Sequence, residues 1–251
     1  RLAGRPALRR LDVDGTLAPL APTPEAARVP DETLRAVEAL VRAPHTHVSL
    51  VSGRAALDAL GKVPVPGLWA VGNHGFETIA PDGTVEVDPL VAPHVPGLRA
   101  AAAALAAAAA PWPGARLEDK QLTLTVHYRL AAPEALPALR AAADEEAARH
   151  RLVVSEGKTV IELRPPAPVD KGSASLALAV RLGVLESGAS VLFAGDDVTD
   201  EDGFRALRGA TPQAVTIRVG HVPEHGTFAE YLAPTLPEFR ELLEWLVAVR
   251  G

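Results

Sequence analysis

In the segment after Asp31, apolar residues recur at intervals of three and four. Leu34, Val37, Leu40 and Val41 fall on one side of a helix, with Asp31 as its expected N-cap. A short β-branched and apolar run, HVSLVS, follows and stops at Gly53. The alternation returns in the last third of the chain. It predicts a helix from about Lys171 to Leu182, a strand VLFAG at 191–195, a helix opening near Thr199, a strand AVTIRV at 214–219, and a last helix carrying Leu242, Leu243, Leu246 and Val247. Strands alternating with helices predict an α/β fold, a Rossmann-like parallel sheet with helices on both faces.

The middle of the chain has a different rhythm. QLTLTVHYR (121–129) and TVIELR (159–164) are strand-rich, with period-two alternation, and an Ala/Glu-rich helix at about 133–150 separates them. This predicts a smaller inserted α+β cap domain over 93–166, interrupting a core made of 1–92 and 167–251. The exit, RPPAPVD, is punctuated by three prolines. The Ala-rich stretch 100–110 is low in complexity, and alanine's propensity makes it a plain helix. Lys158, beside Gly157, is expected in a solvated turn.

Composition removes several classes of function. With 48% hydrophobic and 22% charged residues, the 251-residue chain is globular rather than disordered. It has no Cys, which excludes a disulfide framework, thiolate metal ligands and a cysteine nucleophile. The net charge of −6, with no Lys/Arg block, gives no footprint for nucleic acid. The longest apolar run, 100–110, is short of the roughly 20 residues that cross a bilayer, so no membrane partner is expected. The first ten residues lack the apolar middle of a secretory signal; a cytoplasmic monomer is the default expectation. The chain also lacks Met, so spacing within motifs carries more weight than spacing between them. Only four lysines occur, Lys62, Lys120, Lys158 and Lys171, which makes each ammonium worth locating.

Two acidic clusters carry the chemistry. In LDVDGTLAPL (11–20), Asp12 and Asp14 stand two apart at the end of a short strand, and Gly15-Thr16 turns the chain. Carboxylates this close raise a pKa or demand a cation, and a hard ion such as Mg²⁺ meets the demand; an ordinary strand-ending Asp-Gly turn is the bland alternative. In FAGDDVTDED (193–202), acids again follow an apolar strand directly. In an open parallel sheet ligands bind outside the carboxyl ends of strands, so Asp196 and Asp200 can join Asp12 on one metal, although a helix start decorated to suit its dipole also explains Asp200. Ser52 and Gly53, in VSGR, end a strand where a hydroxyl and free N–H groups can hold a phosphoryl oxygen. Lys171, in VDKGSA, opens a helix and can neutralise charge in the same crevice, or be plain surface. Arg9-Arg10 sits awkwardly in a strand that should be apolar.

The order Asp-x-Asp-Gly-Thr, strand-end Ser, Lys, Gly-Asp-Asp-x-x-Asp resembles the haloacid dehalogenase superfamily of phosphatases. More closely, LDVDGTLAPL, VSGR, GNHGFE (72–77), LEDKQLTLTVHYR (117–129), VIELRP (160–165), VDKG and GDDVTDED resemble the trehalose-6-phosphate phosphatases. The resemblance implies that Asp12 is the nucleophile of an aspartyl-phosphate mechanism, and that Asp14 is the general acid/base and lends its carbonyl to Mg²⁺. It further implies that Ser52, Gly53 and Lys171 hold the phosphoryl group, that Asp12, Asp196 and Asp200 complete the metal site, and that Glu118, Lys120 and Glu162 grip sugar hydroxyls. Glu118 and Lys120 have the same-face spacing of a strand, with a surface salt bridge as the bland alternative. Arg54 and His74 are candidate substrate contacts, with solvent and structural hydrogen bonding as their alternatives; His127 and Arg129 are left without a role. The expected partner is a small sugar phosphate, trehalose 6-phosphate first, with sucrose phosphate or mannosyl phosphoglycerate as alternatives. A receiver-like regulatory domain is the rival from another class, but a receiver needs no acid at Asp14 and has no cap.

Overall fold

The computed structural model describes residues 6–157, 159–185 and 189–249. Lys158 and its expected turn lie outside them. The chain first builds β1 (Ala7–Leu11), α1 (Asp31–Arg42), β2 (Thr46–Val51), α2 (Ala56–Lys62), β3 (Trp69–Gly72), β4 (Glu77–Ile79) and β5 (Val85–Val87). It then forms α3 (Val95–Ala109), β6 (Arg116–Asp119), β7 (Leu124–His127), α4 (Ala135–His150), β8 (Val153–Gly157) and β9 (Val160–Arg164). It closes with α5 (Lys171–Arg181), β10 (Ser190–Gly195), α6 (Asp200–Ala210), β11 (Ala214–Val219), β12 (Tyr231–Ala233) and α7 (Leu236–Ala248). Two compact units result, one ending at Glu86 and resuming at Val169, the other spanning Val87–Pro168.

In the first unit eight strands run in the order β12-β11-β10-β1-β2-β3-β4-β5. The six from β12 to β3 are parallel and β4 reverses. The chain leaves β1 toward β2 and β3 and later returns on its other side as β10, β11 and β12. The carboxyl end of β1 is therefore a switch point, where a crevice opens because neighbouring crossovers diverge. Val37, Leu40, Leu50, Leu192, Phe239 and Leu243 build the core on one face, under α1 and α7. Leu8, Phe193, Leu178, Phe204 and Leu207 build it on the other, under α5 and α6, where Phe193 and Phe204 meet edge to face at 5.4 Å.

The second unit is a four-stranded antiparallel sheet, β6-β7-β9-β8. Leu124, Val126, Ile161 and Leu163 of the sheet pack with Leu98, Leu105, Leu139 and Ala143 of α3 and α4. The pairing sets Glu118 opposite Thr125, Thr125 opposite Glu162, and Glu162 opposite Ser155, so these four form one row on the face away from that core.

Several local expectations change. Asp31 is the first residue of α1, and Pro30 occupies the N-cap position without a side-chain cap; proline's fixed φ suits the helix entry. The strand expected over 121–129 shortens to β7, because Gln121 takes φ 68° in a tight reversal after β6. Lys120 lies in that reversal rather than on the strand, so strand alternation does not relate it to Glu118. Arg9 and Arg10 belong to a β1 that is buried throughout. Arg9 reaches the amino end of neighbouring β10 and donates to the Ser190 carbonyl (3.1 Å) and hydroxyl (3.0 Å). Arg10 is fully buried, and among the described residues none accepts a hydrogen bond from its guanidinium; burial lowers its pKa to about 9.

Candidate active site

The site grows from the ends of β1, β2 and β10 and the starts of α5 and α6. The Asp12 N–H continues the ladder to the Ala194 carbonyl (3.0 Å), which holds the residue just past β1 with only 4% of its surface exposed. The chain then turns back on itself: Leu17 and Ala18 both donate to the Val13 carbonyl, and Gly15 to Ala18. Gly15 adopts φ +80°, and a Cβ there would run into the Asp196 carboxylate, so both backbone angle and close approach require glycine. Thr16, buried beside it, donates to Asp196 Oδ1 at 3.1 Å.

Lys171 is the first residue of α5, where the positive end of the helix dipole disfavours an ammonium. It is held there by two carboxylates: Nζ donates to Asp12 Oδ1 (3.0 Å) and Asp200 Oδ1 (2.8 Å), all three side chains being buried. A reciprocal capping box between Asp170 and Ser173 fixes the start of the helix. Burial alone would lower the Lys171 pKa; Asp12 and Asp200 outweigh it and hold the ammonium above its ordinary value. Burial pushes the Asp12 carboxyl well above the usual range, with Asp200 and Asp196 adding to the rise against the pull of Lys171. Burial likewise raises Asp196 to about 6, helped by Asp200.

Asp12, Asp196 and Asp200 offer carboxylate oxygens all within 4.8 Å of one another. Fully ionised, these three acids facing one ammonium leave two negative charges in a buried place, and a hard divalent cation with oxygen ligands fits that excess. The Asp14 carboxylate is not part of this group. It is gripped at both oxygens by Arg54, from Nε (2.6 Å) and Nη2 (2.8 Å). Arg54 is itself fixed by Asp58, at 2.6 Å, and by the Pro24 carbonyl, at 2.8 Å. Arg54 is 8% exposed.

Ser52 follows β2, its N–H bonded to the Val71 carbonyl, and its hydroxyl oxygen accepts from the Arg54 N–H (3.2 Å). The GNHGFE block braces this loop. Asn73 and His74 both take positive φ, 49° and 58°, in a short 3₁₀ turn after β3. Such strain persists only where surroundings fix it. Here the Asn73 N–H donates to the Arg54 carbonyl and the His74 N–H to the Ser52 carbonyl. Glu77 ties Asn73 Nδ2 and the Ala56 N–H together, each at 2.8 Å. The His74 ring lies over Gly53, where a Cβ would come within 2.6 Å of it.

In the second unit, His127 Nε2 lies 2.7 Å from Glu118 Oε2. That hydrogen bond is the main reason the Glu118 pKa falls below its ordinary value, with Lys120 contributing. Glu162 accepts a long bond from Ser155 (3.4 Å) and shares a face with Glu118.

A family model described as trehalose-phosphatase matches residues 10–234. The chain belongs to the trehalose-phosphatase family. It is 40% identical over 228 residues to a protein of Mycobacterium tuberculosis named an uncharacterized glycosyl hydrolase, covering 90% of this chain and 17% of that one. It is 40% identical over 223 residues to a trehalose-phosphate phosphatase of Mycobacterium avium, covering 88% of this chain and 56% of the relative. The chain thus spans about half the length of that phosphatase and a smaller part of the first protein. Among solved structures it is similar to a trehalose-6-phosphate phosphatase related protein, with 26% identity, a TM-score of 0.81, and coverage of 96% of this chain and 97% of that one. Fold class and family accord with the sequence motifs.

Several residues that touch the site, among them Thr16, Asn73, Glu77 and Asp58, have no role read from the sequence. Thr16, Asn73 and Glu77 stand inside blocks already singled out, so the blocks themselves were the signal. Asp58 is four residues after Arg54, the spacing at which opposite charges pair. No helix among the described residues is long and apolar enough to cross a membrane.

Proposed function

We propose that this chain hydrolyses trehalose 6-phosphate to trehalose and inorganic phosphate, with Mg²⁺ as its metal. The observation that carries the reading is the buried Asp12–Lys171–Asp200 pairing at the end of β1, with Asp196 converging on it and a second acid, Asp14, two residues on. Asp12, Asp196 and Asp200 would hold the metal, together with the Asp14 carbonyl. A bound Mg²⁺ supplies charge neutralisation at the phosphoryl oxygens.

The chain's own groups do the rest. An Asp12 oxygen attacks phosphorus, the P–O bond to the sugar breaks, and an aspartyl phosphate forms. Lys171 is already within bonding distance of Asp12 and spreads the charge of the phosphoryl group, which the Ser52 hydroxyl and the Gly53 backbone also hold. Asp14 gives a proton to the departing sugar oxygen, then takes one from the water that splits the aspartyl phosphate. Both Asp14 oxygens accept from Arg54, which Asp58 and the Pro24 carbonyl keep in place, and each oxygen retains a second lone pair for the proton. Arg54 is therefore a positioning residue for Asp14, and His74, lying on Gly53, shapes the phosphate loop. Glu118, Lys120 and Glu162 recognise sugar hydroxyls.

A panel of phosphate esters tests the reading. Trehalose 6-phosphate should release phosphate faster than sucrose phosphate or mannosyl phosphoglycerate, and activity should vanish when a chelator removes the metal. Glu118→Ala and Glu162→Ala should impair the sugar phosphate far more than a small aryl phosphate. Equal losses on both would count against recognition by these two acids.

A further inference from the structure

The peptide plane between Asp196 and Asp197 ties two of the three converging carboxylates together. Its N–H end, from Asp197, donates to Asp200 Oδ2 at 2.9 Å, while Asp200 Oδ1 accepts from Lys171. Its carbonyl end, from Asp196, accepts from Arg218 Nη2 at 2.6 Å. A peptide unit is planar, so fixing one end fixes the other and the position of the Asp196 Cα, while the Thr16 hydroxyl holds the Asp196 carboxylate itself.

Arg218 sits on β11, paired with Gly195 at the last rung beside β10, and is 6% exposed. Its three guanidinium nitrogens are used separately. Besides the Asp196 carbonyl, Nε donates to the His221 carbonyl (2.7 Å) and Nη1 to Glu201 Oε1 (2.7 Å). Glu201 in turn accepts from the Thr227 hydroxyl (2.8 Å) and the Phe228 N–H (2.7 Å). The guanidinium therefore has one orientation, set from α6 and from the segment after β11, and it presents Nη2 as a charged donor to the Asp196 carbonyl. A hydrogen bond to the carbonyl polarises the same peptide's N–H and strengthens its bond to Asp200.

We infer that Arg218 is a positioning residue for the metal site. Through the Asp196–Asp197 peptide it aligns Asp196 and Asp200 before any ion binds, though it offers no ligand itself. The inference rests on the proposed Mg²⁺ site, and it extends to this chain the rule that groups behind the ligands set metal affinity. An ammonium cannot replace the fork, since a single head cannot reach a carboxylate and two carbonyls in a fixed plane.

Calorimetric titration of Mg²⁺ alone into the full chain separates the two levels. Binding by the wild type tests the metal site itself. Given that binding, Arg218→Lys keeps a positive charge facing Glu201 and is expected to bind Mg²⁺ about 10-fold or more weakly, with its circular dichroism unchanged. A folded Arg218→Lys protein with affinity within about twofold of wild type overturns the inference. Hydrogen exchange in the unaltered protein gives a test that needs no variant: the Asp197 amide, although on an exposed residue, should be protected. Exchange there at the rate of an unstructured chain overturns the inference whatever the variants do.

Discussion

Arg10 is the residue least consistent with its surroundings. A guanidinium fully buried in the central strand, with no acceptor among the described residues, carries a desolvation cost that nothing offsets. Arg10→Leu is expected to raise the midpoint of urea unfolding, by about 1–4 kcal/mol in stability. A loss of stability in that variant would show that the Arg10 charge is not a net cost. The awkwardness of Arg9-Arg10 was legible in the sequence, but not its resolution: Arg9 escapes to Ser190, a residue 181 positions away, and Arg10 does not. Gly53 makes the opposite case, a residue with no spare room. A Cβ there meets the His74 ring, so Gly53→Ala should push the phosphate loop away from Ser52. The expected result is a loss of turnover of about tenfold or more, for about 1–3 kcal/mol of stability. Wild-type kinetics in that variant would remove the His74–Gly53 contact from the account.

Hydrophobic periodicity found the strands and helices that flank the site, because β2, α5, β10 and β11 are either continuous apolar runs or one-faced helices. It gave no element for the short strands β3, β4 and β12, whose three or four residues are too few to show a period. It also overextended β7, since a left-handed residue such as Gln121 leaves no mark on an apolar pattern. The row Glu118, Thr125, Glu162, Ser155 depends on register across three strand pairs, and one sequence alone does not give register. A pH experiment probes this row. The Glu118 carboxyl titrates below its ordinary 4.5 because it accepts from His127. A carboxylate with a lowered folded pKa stabilises fully above the unfolded value and loses that contribution as pH falls through the folded one. Wild type should therefore exceed Glu118→Gln in stability by about 1 kcal/mol at pH 6, and the gap should narrow as pH falls below the ordinary carboxylate range. Equal stability of the two proteins at pH 6 would mean that the pair does not hold Glu118.

At the scale of the whole chain, residues separated by up to 188 positions converge because a parallel sheet brings its strand ends to one edge, and β1 lies where the strand order turns. Asp12, Ser52, Lys171, Asp196 and Asp200 were all legible as strand-end or helix-start residues. What the motifs did not reveal was the division of the acids into two groups: Asp12, Asp196 and Asp200 around Lys171, and Asp14 on Arg54. That division needs two separate ion-pair networks, one on Lys171 and one on Arg54, and it gives the two aspartates of one motif different surroundings. The proposed role of Asp12, nucleophile of a sugar-phosphate phosphatase, is the one on which the others depend. Phosphate release from trehalose 6-phosphate in the presence of Mg²⁺, measured for wild type and for Asp12→Asn of unchanged fold, tests it most directly. Steady turnover is expected from the wild type and none above background from the variant; turnover retained in Asp12→Asn, or no release by the wild type, would mean that Asp12 is not the nucleophile.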